Sequence, residues 1–186
     1  MDIRVYILHD NQRSERLEPL LKELAEQGIA NYEIIQPEID PKKQPFENIN
    51  HAHKSIVRMA KEQGLKEVCI MEDDVMFTCH TAWKYFLDNK PESYSVYVSA
   101  TYIMPPSHNL LTGFQCYLVH ESFYDDYLSV PNKAHIDNAI CDLKSNHKIC
   151  YPFIALQHPG YSANHPGQKV NYNAGCGITD KDLYKG

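Results

Sequence analysis

No stretch of this 186-residue chain approaches the about 20 consecutive apolar residues of a membrane-spanning helix. The opening Met1-Asp2-Ile3-Arg4 also lacks the basic-then-apolar pattern of a secretory leader, so a cytoplasmic protein with at most a peripheral membrane contact is expected. Basic clusters are missing as well. Eighteen Lys and Arg stand against 24 Asp and Glu, for a formal charge of -6, and no positive run could follow a phosphate backbone. A nucleic-acid partner is therefore not expected. The six cysteines (Cys69, Cys79, Cys116, Cys141, Cys150, Cys176) show no C-x-x-C spacing. That pattern points away from a zinc site or disulfide framework and towards reduced, mostly buried thiols. No internal repeat or low-complexity block divides the chain, and 43% hydrophobic content suits a single domain, residues 1–186, with a substantial core.

What is present alternates between strand and helix. Residues 4–8 read as a first strand, and Leu17, Leu20, Leu21 and Leu24 recur at helical spacing before Gly28. Pro19 is tolerable only in a first turn, so that helix is expected to start near Glu18. Residues 32–36 form a second expected strand, and Pro37, Pro41 and Pro45 mark an irregular connection. A helix over residues 48–63 follows, with Ile56, Val57 and Ala60 on one face and Gly64 as terminator. Further helices are expected at 80–87, 121–128 and 136–143, and strands at 95–100, 113–119 and 151–156, with a loop opened by Pro105-Pro106-Ser107. From residue 158 to 186 the chain is rich in Gly, Asn, Pro and Tyr, and an irregular tail or lid is expected. Right-handed βαβ crossovers and a mostly parallel sheet flanked by helices are the simplest α/β topology.

The most informative segment is the apolar run Val68-Cys69-Ile70-Met71 followed by Glu72-Asp73-Asp74. A run of this kind reads as a central parallel strand buried on both faces, and ligands of open α/β sheets bind outside the carboxyl ends of such strands. Adjacent carboxylates repel unless a positive group lies between them, which suits a hard divalent cation such as Mg²⁺ or Mn²⁺. The competing reading is a solvated acidic turn that caps the next helix. Asp73 and Asp74 are the expected metal pair; a continuing strand would instead turn Glu72 and Asp74 the same way.

Around the acids stand Asn11-Gln12-Arg13-Ser14-Glu15-Arg16, Ala52-His53, Gly113-Phe114-Gln115-Cys116-Tyr117, Ile136-Asp137 and the segment from Gln157-His158 to Ser162. In that order, across about residues 4–164, they resemble glycosyltransferase family 25, the lipooligosaccharide and collagen-type sugar transferases. The acidic match, Ile70-Met71-Glu72-Asp73-Asp74-Val75, is the specific one. The chain departs from the family in length, being short, and in lacking its Gly-rich, Cys-containing stretch before His53.

The resemblance implies a GT-A-like (Rossmann-like) fold and a metal-dependent hexosyltransferase. Its donor would be a nucleotide sugar, UDP-linked, its acceptor a glycan or glycolipid, as in lipopolysaccharide biosynthesis, and transfer would invert the anomeric centre. Mn²⁺ or Mg²⁺ would be held by Asp74 and Asp73, with His158 completing the coordination or else a surface histidine. Arg13, Arg16, His53, Glu72 and Asp73 would contact the donor. For Arg16 the alternative is the solvated face of the first helix; for His53, placed near a helix N-terminus, it is capping and packing. Asp137 would be the base that takes the acceptor proton, or else a helix cap. Tyr117 and Trp83 read as core or rim aromatics. Two other classes share these features: a non-catalytic nucleotide-sugar or glycan-binding module, and a metal-dependent phosphohydrolase.

Overall fold

The computed structural model describes residues 3–102, 112–143, 145–162, 165–171, 173 and 176–186; the loop opened by Pro105-Pro106-Ser107 lies outside them. The first half runs β1 (Val5–Leu8), a 3-10 segment (Asn11–Arg16), α1 (Leu17–Glu26), β2 (Tyr32–Ile35), α2 (Pro45–Glu62), β3 (Glu67–Glu72), β4 (Val75–Phe77) and α3 (Ala82–Asp88). The second runs β5 (Val96–Val98), β6 (Cys116–His120), α4 (Tyr124–Ser129), α5 (Ile136–Cys141), β7 (His147–Ile149), β8 (Ala155–Gln157), β9 (Gly160–Ser162) and β10 (His165–Val170).

A six-stranded sheet in the order β2-β1-β3-β6-β5-β7 forms the centre. β1 runs parallel to β2 and β3, and β5 parallel to β7, while β6 runs against both its neighbours. The sheet is thus mostly parallel, as expected, but β3 has one parallel and one antiparallel neighbour. An antiparallel partner needs no helical crossover, because the chain can return along the same end of the sheet.

Strand alternation divides the core into two layers. Val5, Ile7, Cys69, Met71, Cys116 and Leu118 pack on one face with Leu20 and Leu24 of α1 and with Trp83 and Phe86 of α3. Tyr6, Leu8, Val68, Ile70, Tyr117 and Val119 pack on the other with Ile56, Val57 and Ala60 of α2, Tyr127 of α4 and Ile140 of α5. All six cysteines are free, and Cys69, Cys116 and Cys150 are buried. Among the described residues no helix is long and apolar enough to cross a membrane.

Three elements differ from their sequence reading. α2 begins at Pro45, not near residue 48, because Pro suits the first helical position and the Gln44 N–H donates to Glu47 Oε2 at 2.9 Å. His53 therefore lies in the third turn of α2 and not near its N-terminus. The expected strand at 151–156 is displaced to β8, which pairs antiparallel with β4. The tail is also less irregular than its composition suggests. β9 and β10 pair, and the final segment docks through Phe153 N–H to Asp182 O at 2.7 Å and Tyr184 N–H to Phe153 O at 2.9 Å. These partners are distant in sequence, which leaves no local periodicity to read.

Candidate active site

β3 ends at Glu72, and Asp73-Asp74 form the turn into β4. That turn is held from both sides. The Glu72 N–H donates to the carbonyl of Gln115, just before β6, at 2.9 Å, and the His158 N–H, just after β8, donates to the Asp74 carbonyl at 2.7 Å. The acids thus stand at the carboxyl ends of the parallel strands, where open α/β sheets place their ligands.

Because the strand stops at Glu72, the strict alternation that would pair Glu72 with Asp74 does not apply. The two aspartates converge instead on one guanidinium: Arg16 Nη1 donates to Asp73 Oδ1 at 2.7 Å and to Asp74 Oδ2 at 2.9 Å. Asp73 Oδ2 also meets Nδ1 of the buried His9 at 2.9 Å. Asp74 Oδ2 accepts from Gln157 Nε2 at 2.7 Å, whereas Asp74 Oδ1 is buried and has no partner among the described residues. Burial, reinforced by the Glu72 charge, pushes the Asp74 carboxyl up to about 7 against the opposing pull of Arg16 and Gln157. Burial alone would lower the Arg16 guanidinium, but Asp74 and Asp73 outweigh it and hold it above its ordinary value.

Glu72 belongs to a different network. Its Oε1 lies 3.1 Å from His53 Nε2; His53 Nδ1 lies 2.7 Å from the Tyr117 hydroxyl, which lies 2.7 Å from the Tyr127 hydroxyl. His53, Tyr117 and Tyr127 are fully buried. The three contacts form one continuous chain of side chains from the strand end into the core, in which the imidazole roles follow the tautomer. His53 packs and hydrogen-bonds within the core while its ring edge reaches the cavity.

That cavity, of about 870 Å³, brings Arg13, Arg16, His53, Glu72, Asp73, Asp74 and Asp137 together, and its size suits a nucleotide-scale ligand. Pro37, Ile39, Phe46 and Ile49 supply an apolar wall. Asp137 lies in the first turn of α5 without being its N-cap, which is His135. Its carboxylate accepts from Asn138 N–H at 2.8 Å and Gly113 N–H at 3.4 Å. Burial raises its pKa against those two donors. His158 is placed differently: its imidazole is not part of the cavity lining, and Nε2 lies 3.9 Å from Glu23 Oε1 on α1.

Among the described residues no group of three His, Cys, Asp or Glu side chains is arranged to hold a metal. The chemistry of the turn nevertheless fits a hard cation, since Asp74 Oδ1 is a buried carboxylate oxygen with no partner. Cations that act on phosphates need only one or two protein carboxylates, the substrate supplying further oxygens. Sequence reasoning missed His9, although a histidine directly after an apolar strand was a usable signal. It also missed Tyr127 and the amide of Gln115, whose roles depend on pairing across the sheet.

No family model matches the chain, and no curated protein matches its sequence significantly. Solved structures do match. A glycosyltransferase involved in glycosylation of the major capsid of PBCV-1 aligns at a TM-score of 0.57 with 11% identity, covering 81% of this chain and 82% of that one. A Drosophila β1,4-galactosyltransferase 7 mutant, in complex with manganese, UDP-Gal and xylobiose, aligns at 0.57 with 15% identity over 97% of this chain and 81% of that one. The mannosyltransferase PcManGT from Pyrobaculum calidifontis, in complex with GDP-Man and Mn²⁺, aligns at 0.52 with 10% identity over 80% of this chain and 54% of that one. The fold is GT-A-like. The more specific resemblance to family 25 finds no support among these matches.

Proposed function

We propose that this protein is a metal-dependent glycosyltransferase that moves a hexose from a nucleotide sugar, UDP-linked, to a glycan or glycolipid acceptor with inversion. The observation that carries this reading is the Glu72-Asp73-Asp74 turn. It lies at the carboxyl ends of the strands, in a nucleotide-sized cavity, with one buried Asp74 oxygen unpartnered and an arginine alongside. The metal and nucleotide sugars bound to two fold neighbours support the same assignment.

In this reading Asp74, with Asp73 beside it, holds the cation; His158 is left out because its ring faces Glu23. When bound, Mn²⁺ or Mg²⁺ supplies Lewis-acid stabilisation of the departing diphosphate. Arg16 and Arg13, both on the cavity lining, bring the positive charge that a diphosphate needs in an acidic protein. His53 orients Glu72 from within the core. Asp137 takes the proton from the acceptor hydroxyl, and its raised pKa makes it the stronger base for that step.

Titration calorimetry with UDP, UDP-glucose, UDP-galactose and GDP-mannose, first with Mn²⁺ and then with EDTA, tests the reading. Binding of a uridine nucleotide that disappears on chelation is expected. Absence of binding to all four ligands in both conditions would remove the donor assignment. A second reading follows from Arg16, whose guanidinium already places positive charge between both aspartates. It is a nucleotide-sugar-binding module that needs no metal and transfers nothing, and binding that survives EDTA without turnover would select it.

A further inference from the structure

Gln115 contributes a second polar group beside the acidic turn. Its backbone carbonyl accepts the Glu72 N–H at 2.9 Å, which places it directly across from the first acid. The residue is 1% exposed. Its Nε2 donates to the Ala155 carbonyl at 3.1 Å, and because a carbonyl can only accept, this bond orients the carboxamide and identifies Oε1 as the free end. Oε1 is buried without a partner among the described residues, and Gln115 lines the cavity. Leaving such an oxygen unsatisfied is costly, and native proteins keep few of them.

The surroundings pack closely around this oxygen. Gly113 has φ +88°, and a Cβ there would stand 2.3 Å from ring carbons of Tyr102 and 2.8 Å from Gln115 Oε1. A side chain at 113 would thus crowd the very atom that lacks a partner. Thr112 Oγ1, whose residue is also on the lining, is a second buried polar atom without one among the described residues. Gly113 N–H reaches Asp137 Oδ2 at 3.4 Å. Residues 113–115 thus meet Asp137 through Gly113 and Glu72 through Gln115.

We infer that Gln115 Oε1 accepts a hydrogen bond from a hydroxyl of the donor's sugar, and so sets which hexose is bound. This rests on the nucleotide-sugar reading above, in which the diphosphate occupies the acidic end and the acceptor meets Asp137. In that reading the transferred sugar lies between those two groups, and residues 113–115 touch both. A site built to bond a hydroxyl discriminates against a sugar that lacks it, because the buried oxygen is then left unpaired.

The test is calorimetry on the full chain with Mn²⁺, using UDP, UDP-glucose, UDP-galactose and the monodeoxy analogues of whichever UDP-hexose binds more tightly. In the wild type one monodeoxy analogue should bind about ten- to a hundredfold more weakly than its parent. Gln115→Met should bind UDP as the wild type does, lose the affinity gained from the hexose, and no longer distinguish that analogue from its parent. The wild-type analogue series keeps the test independent of whether Gln115→Met, which forfeits the bond to Ala155, folds fully. Equal binding of every deoxy analogue to the wild type, or an undiminished hexose advantage in a folded Gln115→Met, overturns the inference while UDP binding leaves the donor reading standing. A wild type that binds no uridine nucleotide overturns both.

Discussion

Replacing His53 with Phe would remove the ring nitrogens that Glu72 and the Tyr117 hydroxyl meet inside the core. The expected cost is about 1–3 kcal/mol, the range for leaving buried polar groups unsatisfied. Tyr117→Phe should cost less once His53 is already Phe, since the two share one bond. Urea unfolding of both single variants and the double variant measures this, and strictly additive losses would show that the network does not act as a unit. Asp137 is tested by its chemistry instead. Asp137→Asn preserves shape and can keep one of the two backbone N–H bonds, which Asn138 and Gly113 make to different carboxylate oxygens, but it removes the basic oxygen. Donor affinity should stay within about twofold while transfer falls by at least about a hundredfold, consistent with loss of a general base. Normal turnover in that variant would end the assignment of Asp137 as base.

Among the elements, α2 acts as a strut between the two halves of the site. His53 reaches Glu72, while Lys54 Nζ donates to the Val130 carbonyl and, at 2.8 Å, to Asn132 Oδ1. Asn50 Nδ2 donates to the carbonyls of Pro131 at 3.1 Å and Ala134 at 2.8 Å. Together they hold the loop that leads to Asp137. Lys54→Met keeps most of the buried stem and deletes the donors, so a loss of about 1–2 kcal/mol is expected. Amide hydrogen exchange over residues 130–137 should accelerate selectively; uniform acceleration across the protein would deny α2 this local role. At the opposite end of β3, burial would raise the Glu67 carboxyl, but Lys90 and Tyr94 outweigh it and hold it below its ordinary value. A depressed folded-state pKa contributes stability above the ordinary carboxylate range, and that contribution fades as pH falls through the folded value. The stability gap between wild type and Glu67→Gln should therefore be largest near pH 7 and close below about pH 4. Chemical unfolding at several pH values reads it, and a gap that widens in acid would contradict the sign.

For the whole molecule, the final segment closes the layer beneath the site. Leu183 bridges to Phe153, and the Tyr184 ring stacks on Tyr85 at 4.0 Å. Phe153 leads into β8, which carries Gln157 to Asp74. Removing residues 179–186 should lower Tm by about 5–10 °C, the consequence of losing about 2–3 kcal/mol in a domain of this size. Scanning calorimetry checks it, and an unchanged Tm would show that the segment adds no stability. Much of this architecture was legible beforehand because strand and helix periods record local burial. The helical spacing of Leu20 and Leu24 and the shared face of Ile56, Val57 and Ala60 marked sides that are buried, and an apolar run ending in three acids marked the strand end where the site lies. Local patterns carry no information about direction or partner. The sequence by itself determined the strand-helix alternation from β1 to β3, which side α1 and α2 bury, and where the acids emerge. Tertiary structure alone decided that β6 runs antiparallel, that Asp73 and Asp74 share Arg16, that Glu72 turns to His53, and that Gln115 stands across from it. Those contacts join residues tens of positions apart, and long-range packing, not the preference of any short segment, brings them together.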